Sequence, residues 1–197
     1  MPDDRFLLRL YDIGAVRFGE FTLKSGRVAP VYVDLRILVA DPAALRQAGE
    51  ILVEKLRLLP FDRIAGIPYA GLPLGVAAAL AGQYPLCYAR KEAKEYGTRQ
   101  QIEGGPRAGE RVVLVDDVIT DGGAKLEAAE PFRAAGLVVE DVLVLVDREQ
   151  GGPTLLAEHG LRLLACYTLR ELLTALRDAG RIPAETYDRV LRYLSEG

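Results

Sequence analysis

The sequence predicts an α/β fold: a mainly parallel, twisted sheet with helices on both faces and a small hood subdomain. Three observations carry this. Runs such as RVVLVDD (111–117) and LVVEDVLVLVDRE (137–149) are almost continuously apolar, as strands covered on both faces require. They alternate along the chain with stretches of helical spacing. The chain has 197 residues, half of them hydrophobic, which suits one substantial core and a single domain over 1–197.

Taken in order, residues 3–13 space Phe6, Leu7, Leu10 and Ile13 as one helical face. Residues 18–36 read as a hairpin turning at KSGR. Asp41-Pro42 is a cap followed by a first-turn proline, opening a helix to about Leu59. IAGIPYAG is a short strand that breaks into a Gly/Pro loop. The small apolar residues 71–83 form the next helix, and 85–90 the next strand. Residues 91–110 are polar, with four glycines, and read as one long loop of the kind that serves as a lid. RVVLVDD is a strand, followed by a Gly-Gly turn and a helix through Ala135. A further strand, a short helix (153–159), a strand (161–166) and two C-terminal helices complete the chain. The hood is expected mainly from 1–36 with the C-terminal helices, and the core from about 41–166. In such sheets ligands bind at the carboxyl ends of the strands. Residues 68–71, 90–94, 116–124 and 147–152 are therefore expected to converge.

Composition excludes several function classes. Net charge is −3, which argues against a nucleic-acid partner. No run of about 18 apolar residues exists, so no membrane span is expected. Two distant cysteines and one histidine supply neither a disulfide framework nor a zinc site, and a reducing, cytoplasmic setting fits. Arginine outnumbers lysine 20 to 5, so lysines kept outside ordinary helix surfaces stand out: Lys24, Lys91, Lys94 and Lys125.

The segment VVLVDDVITDGGAK (112–125) carries the most chemistry. A strand ends in two acids, and a Thr-Asp-Gly-Gly turn then opens a helix. Glycines let backbone N–H groups close on an anion at the helix N-terminus, which is a phosphate cradle. It has neither the GxxxxGK[ST] of a Walker A loop nor a dinucleotide GxGxxG. Adjacent acids beside such a cradle suit ribose hydroxyls and a positively charged sugar carbon.

This string resembles the phosphoribosyl-pyrophosphate signature of the type I phosphoribosyltransferases. The likeness narrows elsewhere to orotate phosphoribosyltransferases: FTLKSGRVAPVYVDLR to their hood hairpin, GIPYAGLPLG to their pyrophosphate loop, RKEAKEYGTRQQIEGG to their mobile loop, and DREQGG to their base-side strand end. The resemblance implies transfer of phosphoribose from phosphoribosyl pyrophosphate to orotate. Mg²⁺ would be held mainly by that substrate and water, without a direct protein ligand. It also implies a homodimer whose lid loop reaches the neighbouring subunit. Asp116 and Asp117 would hold the ribose, with Asp117 nearer the developing charge. Thr120, Asp121, Gly122, Gly123 and Ala124 would bind the 5′-phosphate, with Val118 and Ile119 also lining the phosphoribosyl pyrophosphate site. Tyr69, Ala70, Arg90, Lys91, Lys94 and Tyr96 would surround the pyrophosphate, with Lys94 catalytic. Lys24, Tyr32, Val33, Thr120 and Arg148 would frame orotate, Lys24 also reaching phosphoribosyl pyrophosphate.

Four positions depart from the common bacterial pattern: Ala29, Ala70, Tyr96 and Gly123. At Ala70 and Tyr96 the chain looks more like the orotate domain of UMP synthases, although its length predicts no fused decarboxylase. Alternatives stay open on the residues alone. Lys91, Glu92, Lys94 and Glu95 also read as a solvated helical turn, Arg148 as a structural ion pair and Tyr69 as packing. A purine or uracil phosphoribosyltransferase, or a nucleotide-sensing regulator, would share 112–125.

Overall fold

Two apolar cores lie on opposite faces of one six-stranded sheet, as seen in a computed structural model describing residues 4–22, 26–90 and 101–195. The strands are β3 (Arg63–Gly66), β4 (Leu86–Ala89), β5 (Ile102–Glu103), β6 (Arg111–Ile119), β7 (Val138–Asp147) and β8 (Arg162–Thr168). Their order is β5-β4-β3-β6-β7-β8, all parallel except the β4–β5 pair. Side-chain alternation sorts the cores. Val113, Val115, Leu143 and Leu145 face one, while Val112, Leu114, Val142 and Val144 face the other. The central run of each of β6 and β7 is thus apolar on both faces, which is why the runs lack alternation.

Helices α2 (Pro42–Leu56) and α3 (Gly71–Gly82) cover one face, and α4 (Gly123–Ala134) and α5 (Gly152–Glu158) the other. Asp41 caps α2, accepting from the Ala44 N–H at 3.1 Å, with Pro42 in the first turn. A two-stranded antiparallel sheet of β1 (Val16–Thr22) and β2 (Val28–Val33) packs with α1 (Asp4–Asp12), α6 (Leu169–Asp178) and α7 (Ala184–Ser195). Phe6 of α1 stacks on Tyr167 at the end of β8, 6.0 Å between ring centres, which ties this group to the sheet.

Two elements differ from the sequence reading. A 3-10 turn over Leu35–Ala40 fills the stretch between hairpin and α2. Its start is set by Asp34, whose carboxylate accepts from the Arg36 N–H. The expected 91–110 loop is also shorter at its far end. Ile102 and Glu103 pair with Ala89 and Tyr88. Arg63 reaches across to Glu110 (2.5 Å) and to the Gly104 carbonyl (3.1 Å), pinning the segment back onto the sheet. A single paired Ile-Glu step gives no periodic signal, so sequence pattern misses it.

The chain order reverses at the centre of the sheet. From β3 it moves outward to β4, then crosses back to add β6 on the other side of β3. The crevice outside the carboxyl ends of β3 and β6 is the position where open α/β sheets bind ligands.

Candidate functional site

The carboxyl end of β6 runs straight through the two acids and on to Ile119, so Asp116 and Asp117 lie within the strand rather than after it. Successive residues point to opposite faces, and the two carboxylates therefore meet different surroundings. Asp116 is buried. Its Oδ1 accepts the Asp117 N–H at 2.9 Å, and its Oδ2 forms an ion pair with Lys125 of α4. Gly71, the first residue of α3, lies against the same carboxylate. A Cβ there would sit 3.0 Å from Asp116 Oδ1 and collide with the Val115 carbonyl oxygen. Only glycine lets α3 begin so close to β6.

Asp117 is partly exposed. Its Oδ1 accepts the Val118 N–H at 2.7 Å. Burial, and then the neighbouring negative charge of Asp116, push its pKa up to about 6, while the Lys125 charge acts in the opposite direction.

Beyond β6 the turn Thr120–Gly122 leads into α4. Gly122 has φ +95°, the left-handed region, and its own Cβ would press on the Gly152 carbonyl and Leu156. Asp121 Oδ1 accepts the Gly123 N–H at 3.0 Å. Above Gly123 a Cβ would meet only Asp121 Oδ1, at 3.6 Å, so the space over the start of α4 is open. The mouth of the turn, Thr120, Asp121 and Ala124, is exposed. An open helix N-terminus behind a glycine turn is a place for an anion.

On the β3 side, Tyr69 is largely exposed and Ala70 is the N-cap of α3. Arg90, at the end of β4, donates from its backbone to the Gln101 carbonyl (2.9 Å) and from Nη1 to Glu103 (3.0 Å). A cleft of about 430 Å³ brings together Pro68, Arg90, Gln101, Asp116, Ala124 and Glu127. Residues after three different strands thus share one cavity.

On the β7 side, Arg148 hangs from the Ile119 carbonyl by its backbone N–H, at 3.0 Å. Its Nε and Nη2 are buried and have no hydrogen-bond partner. Burial pushes the guanidinium pKa down, offset by Tyr193 and Tyr32, the groups that it senses most. No salt bridge engages Arg148 among the described residues. Tyr32 packs against Phe21, ring centres 5.5 Å apart, beneath the Arg17 guanidinium, and accepts from Arg36 Nη2 at 3.3 Å. Val33, next along β2, pairs with Val16.

The structure therefore gathers Asp116, Asp117, Thr120–Ala124, Arg90 and the Tyr69–Ala70 turn along the β3, β4 and β6 ends, and Arg148 with Tyr32 beside the hood. Lys24, Lys91, Lys94 and Tyr96 lie outside the described residues. Sequence reasoning singled out Lys125 by the scarcity of lysine but found no partner for it. It gave Gln150, inside the 147–152 segment, no role of its own and missed Tyr193; their Oε1 and Oη are buried without partners. Tyr193 lies 45 residues beyond Arg148 on the last helix, a separation that no local pattern reveals.

The phosphoribosyl transferase domain family matches residues 36–155. The orotate phosphoribosyltransferase of Pyrobaculum aerophilum is 42% identical over 189 residues, which are 95% of this chain and 97% of that protein. The uridine 5′-monophosphate synthase of Bos taurus is 41% identical over 95% of this chain, and the match occupies 39% of that larger protein. The solved structure of Leishmania donovani UMP synthase superposes with a TM-score of 0.91 at 40% identity, over 98% of this chain and 42% of that one. The chain thus spans about two fifths of the length of the UMP synthases it matches, and nearly all of the Pyrobaculum protein. With a fold, a switch-point crevice and relatives that agree, the chain belongs to the phosphoribosyltransferase family, in its orotate phosphoribosyltransferase group.

Proposed function

We propose that the chain transfers the 5-phosphoribosyl group of phosphoribosyl pyrophosphate to orotate, giving orotidine 5′-monophosphate and pyrophosphate in pyrimidine biosynthesis. The observation that carries the choice of base is the buried guanidinium of Arg148 with two unpartnered donors beside Tyr32. Leaving such donors unmade is costly, about 1–3 kcal/mol or more for a charged group. A planar carboxylate satisfies both, and orotate differs from uracil by one carboxylate. Orotate phosphoribosyltransferase is also the name that the near-full-length Pyrobaculum relative carries.

In this reading the 5′-phosphate sits over the open start of α4, held by backbone N–H groups of 121–124. The ribose lies across Asp117, and the pyrophosphate lies over the Tyr69–Ala70 turn and Arg90. Lys91, Lys94 and Tyr96 close on the pyrophosphate, Lys94 chiefly in the transition state. Lys24 bridges to the base. The base nitrogen bonds to the anomeric carbon while the carbon–oxygen bond to pyrophosphate breaks, and the nitrogen gives up its proton. The sugar carbon is cationic on the way, and the carboxylate of Asp117 stabilises it best when ionised. The preformed dipole at α4 holds the 5′-phosphate, while Arg90 and the lysines that close on the other end meet the charge of the departing pyrophosphate.

Mg²⁺ fits as a companion of the substrate. No group of three acidic, histidine or cysteine side chains able to hold a metal occurs among the described residues. Phosphate oxygens of the substrate and water would supply its ligands. When bound it would offset charge on the departing pyrophosphate.

A second copy of the chain is the proposed partner. An apolar groove of about 790 Å³ runs between α2 and α3, with Val39, Val76 and Leu80 exposed. Arg46 and Glu50 line it one helical turn apart, so a two-fold axis places each against the other's mate. Two buried free thiols, Cys87 and Cys166, fit a reducing cytoplasm, and no helix among the described residues is long and apolar enough to cross a membrane.

The direct test is pyrophosphate release with orotate, uracil and purines supplied separately. Orotate alone should support turnover. Turnover with uracil or a purine and none with orotate overturns the assignment of the base.

A further inference from the structure

Lys125 occupies an expensive position. It is the third residue of α4, in the first turn, where the helix dipole already presents its positive end. Its side chain is 8% exposed, in a chain that keeps only five lysines. A cation in such a place costs stability twice, by desolvation and by the dipole. What offsets the cost is the carboxylate of Asp116 across the turn, itself 8% exposed.

The pair continues into the site. Lys125 holds Asp116 Oδ2, Asp116 Oδ1 accepts the Asp117 N–H, and Gly71 closes the remaining side of the same carboxylate. One carboxylate thus links the start of α4, the start of α3 and the backbone of Asp117. The phosphate cradle and the ribose acid are joined by a single buried ion pair.

We propose that Lys125 is a positioning residue for phosphoribosyl transfer: clamped on Asp116, it fixes the backbone and sets the electrostatic setting of Asp117, the carboxylate that faces the sugar. The proposal rests on the reading of Asp117 as the ribose acid. Lys125 touches neither substrate nor reacting atoms and acts through Asp116.

The charged groups facing Asp117 can be named. Asp116 lies beside it on β6 and Lys125 comes from α4. Glu127 of α4 and Arg90 after β4 share the cleft with Asp116, Arg90 being tied to Glu103. On β7 the residues from Val144 to Val146 run past Asp117 without a charge, β3 ends at Gly66 opposite Val115, and the first turn of α3 has no charged residue. Asp116 holds the pKa of Asp117 up and Lys125 holds it down. Removing the lysine charge must therefore move the midpoint of Asp117 further up from about 6.

The experiment is a carboxyl-carbon NMR titration of the full chain, with Asp117 assigned through Asp117→Asn. In Lys125→Met the Asp117 midpoint should rise by about one pH unit. The acidic limb of the kcat/KM profile should move with it. At pH 6, kcat should fall about fivefold, with KM for phosphoribosyl pyrophosphate held within about threefold. Lys125→Arg should keep the midpoint near the wild-type value. Lys125→Gln, which retains a donor for Asp116 without the charge, gives the same test if the methionine variant does not fold. An unchanged Asp117 midpoint in a folded, charge-free variant overturns the proposal, even if that variant melts earlier, because a purely structural lysine does the latter alone. The titration uses no substrate, so its outcome is separate from that of the base assay. If the wild type fails to turn over orotate, the proposed function fails while the titration still reports on Lys125.

Discussion

The two ends of the crevice are built on opposite principles. At the β6 end the three acids are already engaged: Asp116 by Lys125 and by the Asp117 N–H, Asp117 by the Val118 N–H, and Asp121 by the Gly123 N–H. At the β7 end Arg148 Nε and Nη2, Gln150 Oε1 and Tyr193 Oη are buried with nothing to bond. The first end fixes its acids before any ligand arrives and leaves the start of α4 open for an anion. The second leaves the two Arg148 donors unmet until an anion arrives. A site that must hold a reactive sugar benefits from rigid, preformed dipoles. A site that must reject close analogues benefits from groups that only the right ligand satisfies, since an analogue lacking the carboxylate leaves them unpaired.

The comparison is sharpened most strongly at the preformed end. Asp117→Asn keeps the shape but removes the charge, and kcat should drop about 10²–10³-fold, the scale for losing one preorganised electrostatic group. Near-normal turnover in that variant would reduce the acid pair to a structural feature of the strand. The same variant should be more stable than the wild type near neutral pH. The native state holds the Asp117 proton up to about pH 6, whereas an ordinary aspartate loses it near 4. The native state therefore binds more protons in that window, and the acid destabilises the fold as pH rises through it. The gain in Tm from Asp117→Asn should be large at pH 7 and vanish below about pH 4. Equal gains at pH 4 and pH 7 contradict the raised pKa.

Gly71→Ala tests the same rigidity from the other side of Asp116. The added methyl meets the Val115 backbone, which has no rotamer to yield. Loss of stability of about 1–3 kcal/mol is expected, with kcat reduced because Asp116 must move. Chemical denaturation and turnover measured together check it. A variant of unchanged stability means that α3 can retreat from β6. A smaller effect is expected away from both ends. Leu80→Glu places a charge in the apolar groove between α2 and α3, and sedimentation should show dimers giving way to monomers with the fold kept. If the wild type is itself a monomer at high concentration, the groove is not a self-contact.

How much of this was legible in the sequence follows the same division. The parallel sheet was legible because β6 and β7 bury both faces and so write unbroken apolar runs, 112–115 and 142–146. The phosphate turn was legible because only glycine serves at Gly122, with φ +95°. Helix α2 announced itself by Asp41-Pro42, whose cap geometry is local. β5 was not legible, since two residues held by pairing with β4 and by Arg63 carry no period of their own. The candidate acids were legible as a pair. Their inequality was not, because the burial of Asp116 is decided by Lys125 and Gly71, one on each side of the sheet. Arg148 was legible as a cation at a strand end, but sequence alone leaves ion pair and open donor equally available. Its partnerless state depends on what the hood and α7 bring, or do not bring, around it.

The central claim is that the unmade bonds of Arg148 select the base. The most direct measurement compares wild type and Arg148→Met for kcat/KM with orotate and with uracil, alongside Tm without ligand. The orotate value should fall roughly 10- to 1000-fold, the scale of losing a charge-assisted contact, while uracil changes little. The free variant should melt no lower than the wild type, since methionine removes buried donors that have no partner. Unchanged orotate kinetics, or equal losses with both bases together with a large fall in Tm, would show Arg148 to be holding the fold rather than reading the substrate.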